Sequence, residues 1–322
     1  MYSLIHNIAE EFGIRPQSIN KCKYYYVLNC SDGIYSFSQA RPKFNKIVEI
    51  HNVKSSLEAF GINSVDSYLL NSKGLPYAQR DGRLYTITKF FGNNELDFSN
   101  DNQVALTLKG IGNIHKGIDD LERAMFSVAS EDKNIVIDKY IKELKALERI
   151  KKSMNKAAWS MDITKVFESF YDRALYSVER LRELDYGNKT TYCHNRLKEG
   201  NIIYKKGKIY IIDWDNMKRL HYLEDISFFV KRYIRKNCYY AGQNGQAYMS
   251  LNEALNKYLS SNMLSLHERE VLKAVLWYPH RFVDTMIECG KIRKTFLPTG
   301  VKRKLDECIL QKEFEQRYLG GL

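Results

Sequence analysis

A β-hairpin with polar residues at one end constrains the fold of this chain more than any other feature. Two β-rich segments, Asn201–Tyr204 and Lys208–Ile212, flank a short turn and predict that hairpin. Antiparallel pairing returns the end of the second segment to the start of the first, which would bring Asp213 beside Asn201. Amide and carboxylate oxygens are ligands that Mg²⁺ accepts. The sequence therefore predicts Asn201 and Asp213 as a metal-binding pair.

The residues before the hairpin have the spacing of a kinase catalytic loop but lack its base. That loop reads H-x-D-x-x-x-x-N, in which the aspartate accepts the substrate proton and the asparagine binds magnesium. His194 and Asn201 stand at this spacing, whereas Arg196 occupies the place of the aspartate. We expect His194 to hold the turn by packing and hydrogen bonding rather than by binding a metal. Asp215 is the only candidate for a substitute base.

The positions that would bind the phosphates of a nucleotide are also altered. The strand before the first long helix should carry a phosphate-binding lysine, and it offers Ser38 instead. The helix should carry a glutamate partner, and it offers Asn52. Thr88 and Lys89, on a later strand, are further candidate positions in a nucleotide cleft. Gly110–His115 lacks the third glycine of G-x-G-x-x-G and follows helix-patterned residues, so we do not expect it to cradle phosphates.

Hydrophobic periodicity divides the chain into a β-rich and a helical part and predicts an α+β fold of two lobes. The predicted N-terminal lobe covers residues 1–92, a polar hinge covers 93–103, and a helical C-terminal lobe covers 104–322 and includes the hairpin at 193–215. Within the first lobe we predict helices at 1–13 and 47–60, a hairpin turning at Asp32-Gly33, and strands near 67–70 and 84–90. In the second we predict helices at 104–114, 167–181, 223–236, 250–260, 267–277 and 280–288.

The amino-acid composition narrows the functional classes to which this protein could belong. Hydrophobic residues make up 44% of the 322 positions, which predicts a folded protein with a sizeable core. The net charge of +12 favours anionic partners, but the basic residues are scattered and form no recognition motif, so we do not expect nucleic-acid binding. We find no C-x-x-C pair, no signal peptide and no membrane-spanning apolar stretch. We therefore expect synthesis in a reducing cytoplasm and no membrane partner.

The segment from about residue 20 to about residue 310 resembles the aminoglycoside phosphotransferase and choline kinase fold, and within it the CotS-type spore coat proteins. Leu106–His115 is similar to the L-A-x-x-H helix of the coat proteins, and Leu276–Phe282 is similar to their Y-P-x-K-F motif. Ile211–Asp215 provides the third matching stretch. The resemblance implies a bilobal, protein-kinase-like fold with a small β-rich lobe and a larger helical lobe.

The departures from the family pattern imply a protein that has lost catalysis. With Arg196, Ser38 and Asn52 in place of the Asp, Lys and Glu, we predict a structural or interaction role in assembly of the spore coat. Other spore coat proteins are then the expected partners, and no cofactor is expected. The alternative is an active ATP-dependent small-molecule phosphotransferase that binds ATP and magnesium, with Asp215 or a substrate group replacing the base.

Arg196 introduces a cation where a metal would otherwise bind. A guanidinium can bind a carboxylate through two parallel hydrogen bonds. We therefore predict that Arg196 pairs with Asp213 or Asp215 as an internal substitute for the metal.

Overall fold

The computed structural model describes residues 1–125, 135–154, 161–186, 190–240, 264–290 and 299–318. Its secondary structure is mixed, with an antiparallel sheet in the N-terminal part and helices in the C-terminal part, which confirms the predicted α+β class. The chain forms two compact units. The first comprises Met1–Ser127 and His194–Lys218, and the second comprises Val128–Cys193 and Arg219–Leu322.

The first unit is built on a five-stranded antiparallel sheet of strand order β1-β2-β3-β5-β4. Alternating residues of its central strands, such as Tyr35 and Phe37, enter one core together with Ile5 and Ile8 of helix α1. The bounds are α1 (Tyr2–Glu11), β1 (Pro16–Lys21), β2 (Tyr26–Cys30), β3 (Gly33–Gln39), α2 (Phe44–Ala59), β4 (Ala78–Arg80) and β5 (Arg83–Lys89).

The sheet confirms the predicted β2–β3 hairpin but not the reason given for its turn. Neither Asp32 nor Gly33 has a positive φ, and Gly33 instead pairs with Cys30 inside the sheet. The predicted strand at 67–70 is wrong, because Tyr68 forms only an isolated bridge to Thr88. Strands β1 and β4 were not predicted.

Helix α3 (Asp101–Met125) packs against the sheet hairpin formed by β7 (Ile202–Lys205) and β8 (Lys208–Ile211). A Cβ atom added at Gly110 would lie 2.5 Å from Ile209 Cδ1, and one added at Gly117 would collide with Ile62. These glycines therefore allow a close approach of α3 to its neighbours. The glycine-containing stretch at 110–115 lies within the helix and is not a phosphate loop, as expected.

The predicted hinge is part of the first unit because it pairs with the β7–β8 hairpin. The Leu96 N–H donates to the Ile202 carbonyl at 2.8 Å, and the Tyr204 N–H donates to the Asn94 carbonyl at 2.8 Å. On the other side, the Ile211 N–H donates to the Ser64 carbonyl at 2.8 Å. The compact unit therefore extends past the predicted lobe boundaries at 92 and 103 and takes in both α3 and the hairpin.

The second unit is mainly helical. Helices α5 to α8 include the segments predicted at 167–181, 223–236, 267–277 and 280–288, whereas α4 and α9 were not predicted; the segment at 250–260 lies outside the described residues. None of the described helices is long and apolar enough to span a membrane. The bounds are α4 (Ile135–Met154), α5 (Met161–Glu183), β6 (Thr191–Cys193), β9 (Lys218–Leu220), α6 (Leu223–Tyr240), α7 (Leu266–Trp277), α8 (His280–Gly290) and α9 (Thr299–Tyr318).

Buried tyrosines hydrogen-bond to carboxylates in the core of the second unit. The hydroxyls of Tyr140 and Tyr186 both donate to Glu224 Oε1 at 2.6 Å. The Tyr278 hydroxyl donates to Glu143 Oε2 at 2.9 Å, and its ring packs edge-on against Tyr140 with centroids 4.6 Å apart. Burial, reinforced by the Glu224 charge, raises the pKa of Tyr140 and Tyr186 well above the usual value, so both remain donors. This network connects α4 to α6 and to the turn before α8.

The stretch that resembles Y-P-x-K-F thus serves packing. Tyr278 enters the buried network, and Phe282 stacks on Phe170 with ring centroids 4.4 Å apart. Both side chains are almost fully buried.

Tyr278→Phe should lower the free energy of unfolding by about 1–2 kcal/mol, because it leaves the half-buried Glu143 carboxylate without its hydroxyl donor. Urea denaturation measures the change. Tyr176→Phe is the matched control, since Tyr176 is 57% exposed on α5 and should change nothing. Equal effects of the two substitutions would contradict this account of the network.

Candidate functional site

The hairpin brings Asn201 and Asp213 together through the backbone. Ile202 pairs with Ile211 in the β7–β8 register, and the Ile212 N–H donates to the Asn201 carbonyl at 2.9 Å. Asp213 is the next residue along the chain. The two predicted metal ligands therefore lie at the same end of the hairpin.

His194 has a structural role in this loop. Its Nε2 donates to the Ile212 carbonyl at 2.9 Å, and its Nδ1 accepts the Arg196 N–H at 3.2 Å. This pattern assigns the neutral imidazole protonated at Nε2. The ring also packs edge-on against Trp214, with centroids 5.0 Å apart. Both ring nitrogens are occupied, so His194 is not placed to bind a metal.

Asn201 is oriented by the same loop. Its Nδ2 donates to the Arg196 carbonyl at 3.0 Å, and the side chain is buried. The amide orientation leaves Oδ1 as the atom that could face a cation. Asn201 therefore retains the oxygen donor that the sequence predicts.

Asp213, two residues after the end of β8, has a left-handed backbone, with φ 64° and ψ 61°. Aspartate tolerates this conformation better than most residues, but it is still uncommon. The Asp213 N–H donates to Asp66 Oδ2 at 3.2 Å. Asp66 was not predicted as a site residue, and it holds the backbone at the strand end.

Lys54 is a second site residue that the sequence pattern does not predict. Its side chain is fully buried on α2, with Nζ 2.7 Å from Asp66 Oδ1. Nζ also donates to the Asp66 carbonyl at 2.9 Å and lies 4.3 Å from the centre of the Tyr68 ring. The sequence contains a signal for the burial of Lys54, because it lies on the apolar stripe of α2 with Ile47, Ile50 and Leu57.

Asp66, Asp213 and Asp215 are three carboxylates that interact through their charges, and we call them the acidic cluster; Asp66 is the member in contact with Lys54. Burial raises the pKa of Asp215 from 3.8 to about 6, and the charges of Asp213 and Asp66 add to the increase. The positive charges of Lys54 and Arg41 lower it. Asp215 therefore lies close enough to Asp213 and Asp66 for their charges to shift its pKa.

The predicted pairing of Arg196 with Asp213 or Asp215 is wrong. No ion pair joins Arg196 to either carboxylate in the described part of the chain, and the buried cation is Lys54 instead. The reason lies in the loop backbone. The Arg196 N–H and carbonyl are held by His194 and Asn201, and the side chain is only half-buried.

The other predicted cleft positions differ in their surroundings. Ser38 Oγ lies 3.3 Å from Thr86 Oγ1 on the sheet face opposite Phe37. Thr88 shares that face and is half-buried, whereas Lys89 is exposed. Asn52 is also exposed on α2, so the structure does not bring it to the acidic cluster.

Solved structures of small-molecule kinases have this fold. An aminoglycoside phosphotransferase from Alicyclobacillus acidocaldarius matches with a TM-score of 0.80 at 13% identity, covering 98% of this chain and 94% of that one. Amicoumacin kinase, in complex with AMP-PNP and Ca²⁺, matches with a TM-score of 0.65 at 15% identity, covering 98% and 93%. A choline kinase from Cryptosporidium parvum matches at 0.57 and 14%, covering 98% and 97%.

These likenesses confirm the predicted kinase-like fold class. The identities are too low to show more than the fold. No protein-family model matches the sequence, and no curated protein matches it.

The residues present do not fit magnesium–ATP as a complete set. Asn201 and Asp213 supply oxygen donors that suit magnesium. The cation that should meet the phosphates is missing from β3, where Ser38 bonds to its neighbour on β5. The buried cation, Lys54, is already bound to Asp66. Of the predicted positions, Asn201 and Asp213 can therefore offer oxygen ligands, whereas Ser38 offers no cation.

Asp215→Asn should stabilise the protein above pH 7 by about 1–3 kcal/mol. With a folded-state pKa of about 6 against 3.8, the folded protein binds the Asp215 proton more tightly than the unfolded chain does. The contribution of Asp215 to the free energy of unfolding therefore falls as the pH rises from about 4 to about 6, and the substitution removes that loss.

Urea denaturation across this pH range checks the prediction, and the advantage of the variant should shrink toward pH 4. Asp120→Asn, an exposed change on α3, is the control and should show no such trend. An advantage that does not vary with pH would contradict the assignment.

Proposed function

We propose that this protein is a catalytically degenerate kinase-like protein that works as a structural or interaction component of the spore coat. One observation carries the loss of catalysis. Arg196 stands in the place of the base, while the cation of the site, Lys54, is held by Asp66 and not presented to a nucleotide.

The missing groups would each lower the rate of a phosphotransferase by orders of magnitude. A general base contributes about 10²–10⁴ in rate. Removing one electrostatic contact to a transition state costs about 10²–10³ in kcat. Ser38 and Arg196 remove one group of each kind, so turnover should fall by about 10⁴–10⁷ when the two losses multiply.

The coat role follows from the resemblance of Leu106–His115 and Leu276–Phe282 to stretches of CotS-type proteins. In this chain both stretches serve packing, through Gly110 of α3 and through Tyr278 and Phe282. The function then belongs to the protein's surface, and other coat proteins are the proposed partners. Expression confined to sporulation, with the protein recovered in spore-coat extracts, is the expected result; expression in growing cells alone would contradict the role.

An active small-molecule phosphotransferase is the second candidate. It is favoured by the retained oxygen donors of Asn201 and Asp213 and by the nucleotide complexes of proteins with this fold. A largely dissociative transition state also makes a base less necessary in phosphoryl transfer than in acyl transfer. On this view Asp215 or a group of the substrate would replace the base.

Magnesium–ATP should neither stabilise the parent protein nor be consumed by it. A ligand present at 100 times its Kd raises the free energy of unfolding by about 2.7 kcal/mol, so thermal denaturation with and without magnesium–ATP is a sensitive measurement. Arg196→Asp should also remain inactive, because Ser38 still replaces the phosphate-binding lysine. Magnesium-dependent stabilisation that Asp213→Asn abolishes, together with phosphotransfer, would instead establish the enzyme.

A further inference from the structure

We propose that Lys54 is an internal counter-ion that replaces a divalent cation in the acidic cluster. The lysine lies on α2, outside the stretch that resembles a catalytic loop, and only the structure brings it to the hairpin. The inference goes beyond the proposed loss of catalysis, because it states how the site remains stable and closed to metal.

The ammonium group of Lys54 already contacts partners within the protein and is not available to bind a ligand. An ammonium has three hydrogens to donate. One is donated to the Asp66 carbonyl at 2.9 Å, and the Asp66 carboxylate forms an ion pair with the ammonium group, with Oδ1 2.7 Å from Nζ. The remaining side is covered by the Tyr68 ring, 4.3 Å from Nζ to the centroid. With no exposed surface on the residue, Lys54 is unavailable to a phosphate from solvent.

The ion pair also positions Asp213. One carboxylate oxygen of Asp66 contacts Lys54, and the other accepts the Asp213 N–H at 3.2 Å. The pair thus supports the left-handed backbone at Asp213. A metal that bound Asp213 would constrain this strand end directly, whereas here the constraint comes from α2 through Asp66.

The balance of charges in the acidic cluster determines how well it can bind a divalent cation. The acidic cluster contains three carboxylates, and the fully buried Lys54 contacts one of them, Asp66, and acts through its charge on another, Asp215. Arg41 also acts on Asp215, but its side chain is exposed and so more strongly screened. A divalent cation approaching Asp213 would be repelled by Lys54, and removing that charge should leave the cluster attractive to one.

Manganese binding to Lys54→Met tests this directly. Methionine keeps a flexible apolar stem in the buried space but carries no charge. We expect the parent to show no stoichiometric Mn²⁺ binding by electron paramagnetic resonance, and Lys54→Met to bind one Mn²⁺ at least about tenfold more tightly than the parent, a gain of about 1.4 kcal/mol. Asp213→Asn added to Lys54→Met should abolish the gain.

The stability of the same variants gives a second readout. Lys54→Met should unfold at a lower urea concentration than the parent in chelator, and Mn²⁺ should restore much of the difference. Lys46→Met is the matched control, because Lys46 lies on the same helix in a solvent-accessible pair with Glu49. It removes the same charge and should change neither Mn²⁺ binding nor the effect of chelator.

Two results would overturn the proposal. The first is Asp213-dependent Mn²⁺ binding by the parent, and the second is a folded Lys54→Met that binds Mn²⁺ no better than Lys46→Met. If Lys54→Met does not fold, the double variant Lys54→Met/Asp66→Asn removes both charges of the pair and should recover folding; failure to do so also overturns the proposal. Phosphotransfer by the parent would refute the proposed function separately, since no measurement here depends on activity.

Discussion

The buried ion pair between Lys54 and Asp66 is the interaction on which the hairpin end depends. It connects α2 to the backbone of Asp213 and places a positive charge beside the acidic cluster. Replacing a buried pair by apolar residues is often neutral, but removing one partner costs about 3–5 kcal/mol. The ion pair therefore adds little net free energy to folding. It fixes the local arrangement instead, because changing either residue alone would leave an unpaired buried charge.

The contacts that maintain the fold of this protein are different from the residues that would catalyse a reaction. Apolar and aromatic packing, the close approach at Gly110 and the tyrosine network around Glu224 maintain a fold found in kinases at 13–15% identity. None of these contacts requires a catalytic base. The hairpin keeps His194 and Asn201 in place through backbone hydrogen bonds, which Arg196 can supply as well as an aspartate would. The proposed loss of the base is thus compatible with an intact loop.

Local patterns predicted the hairpin and most of the longer helices, because their apolar periodicity is set by neighbours in sequence. The remaining features of the site depend on tertiary contacts, which local sequence patterns do not show. Lys54 was missed because a lysine is ordinarily solvated, although its place on the apolar stripe of α2 marked it as unusual. Asp66 belongs to a segment without regular structure, and only the fold brings it to Asp213. The family pattern predicts Asn52 at the place of the glutamate, but helix geometry turns it toward solvent instead.

The central claim is that a lysine occupies the role of the metal in this site. Crystals of the parent protein soaked in Mn²⁺ and AMP-PNP test it most directly, through anomalous scattering from manganese. If Lys54 takes the place of the metal, no anomalous peak should lie beside Asp213, and the contact between Lys54 and Asp66 should be unchanged. A manganese peak shared by Asn201 Oδ1 and the Asp213 carboxylate, with nucleotide phosphates bound to it, would contradict the account.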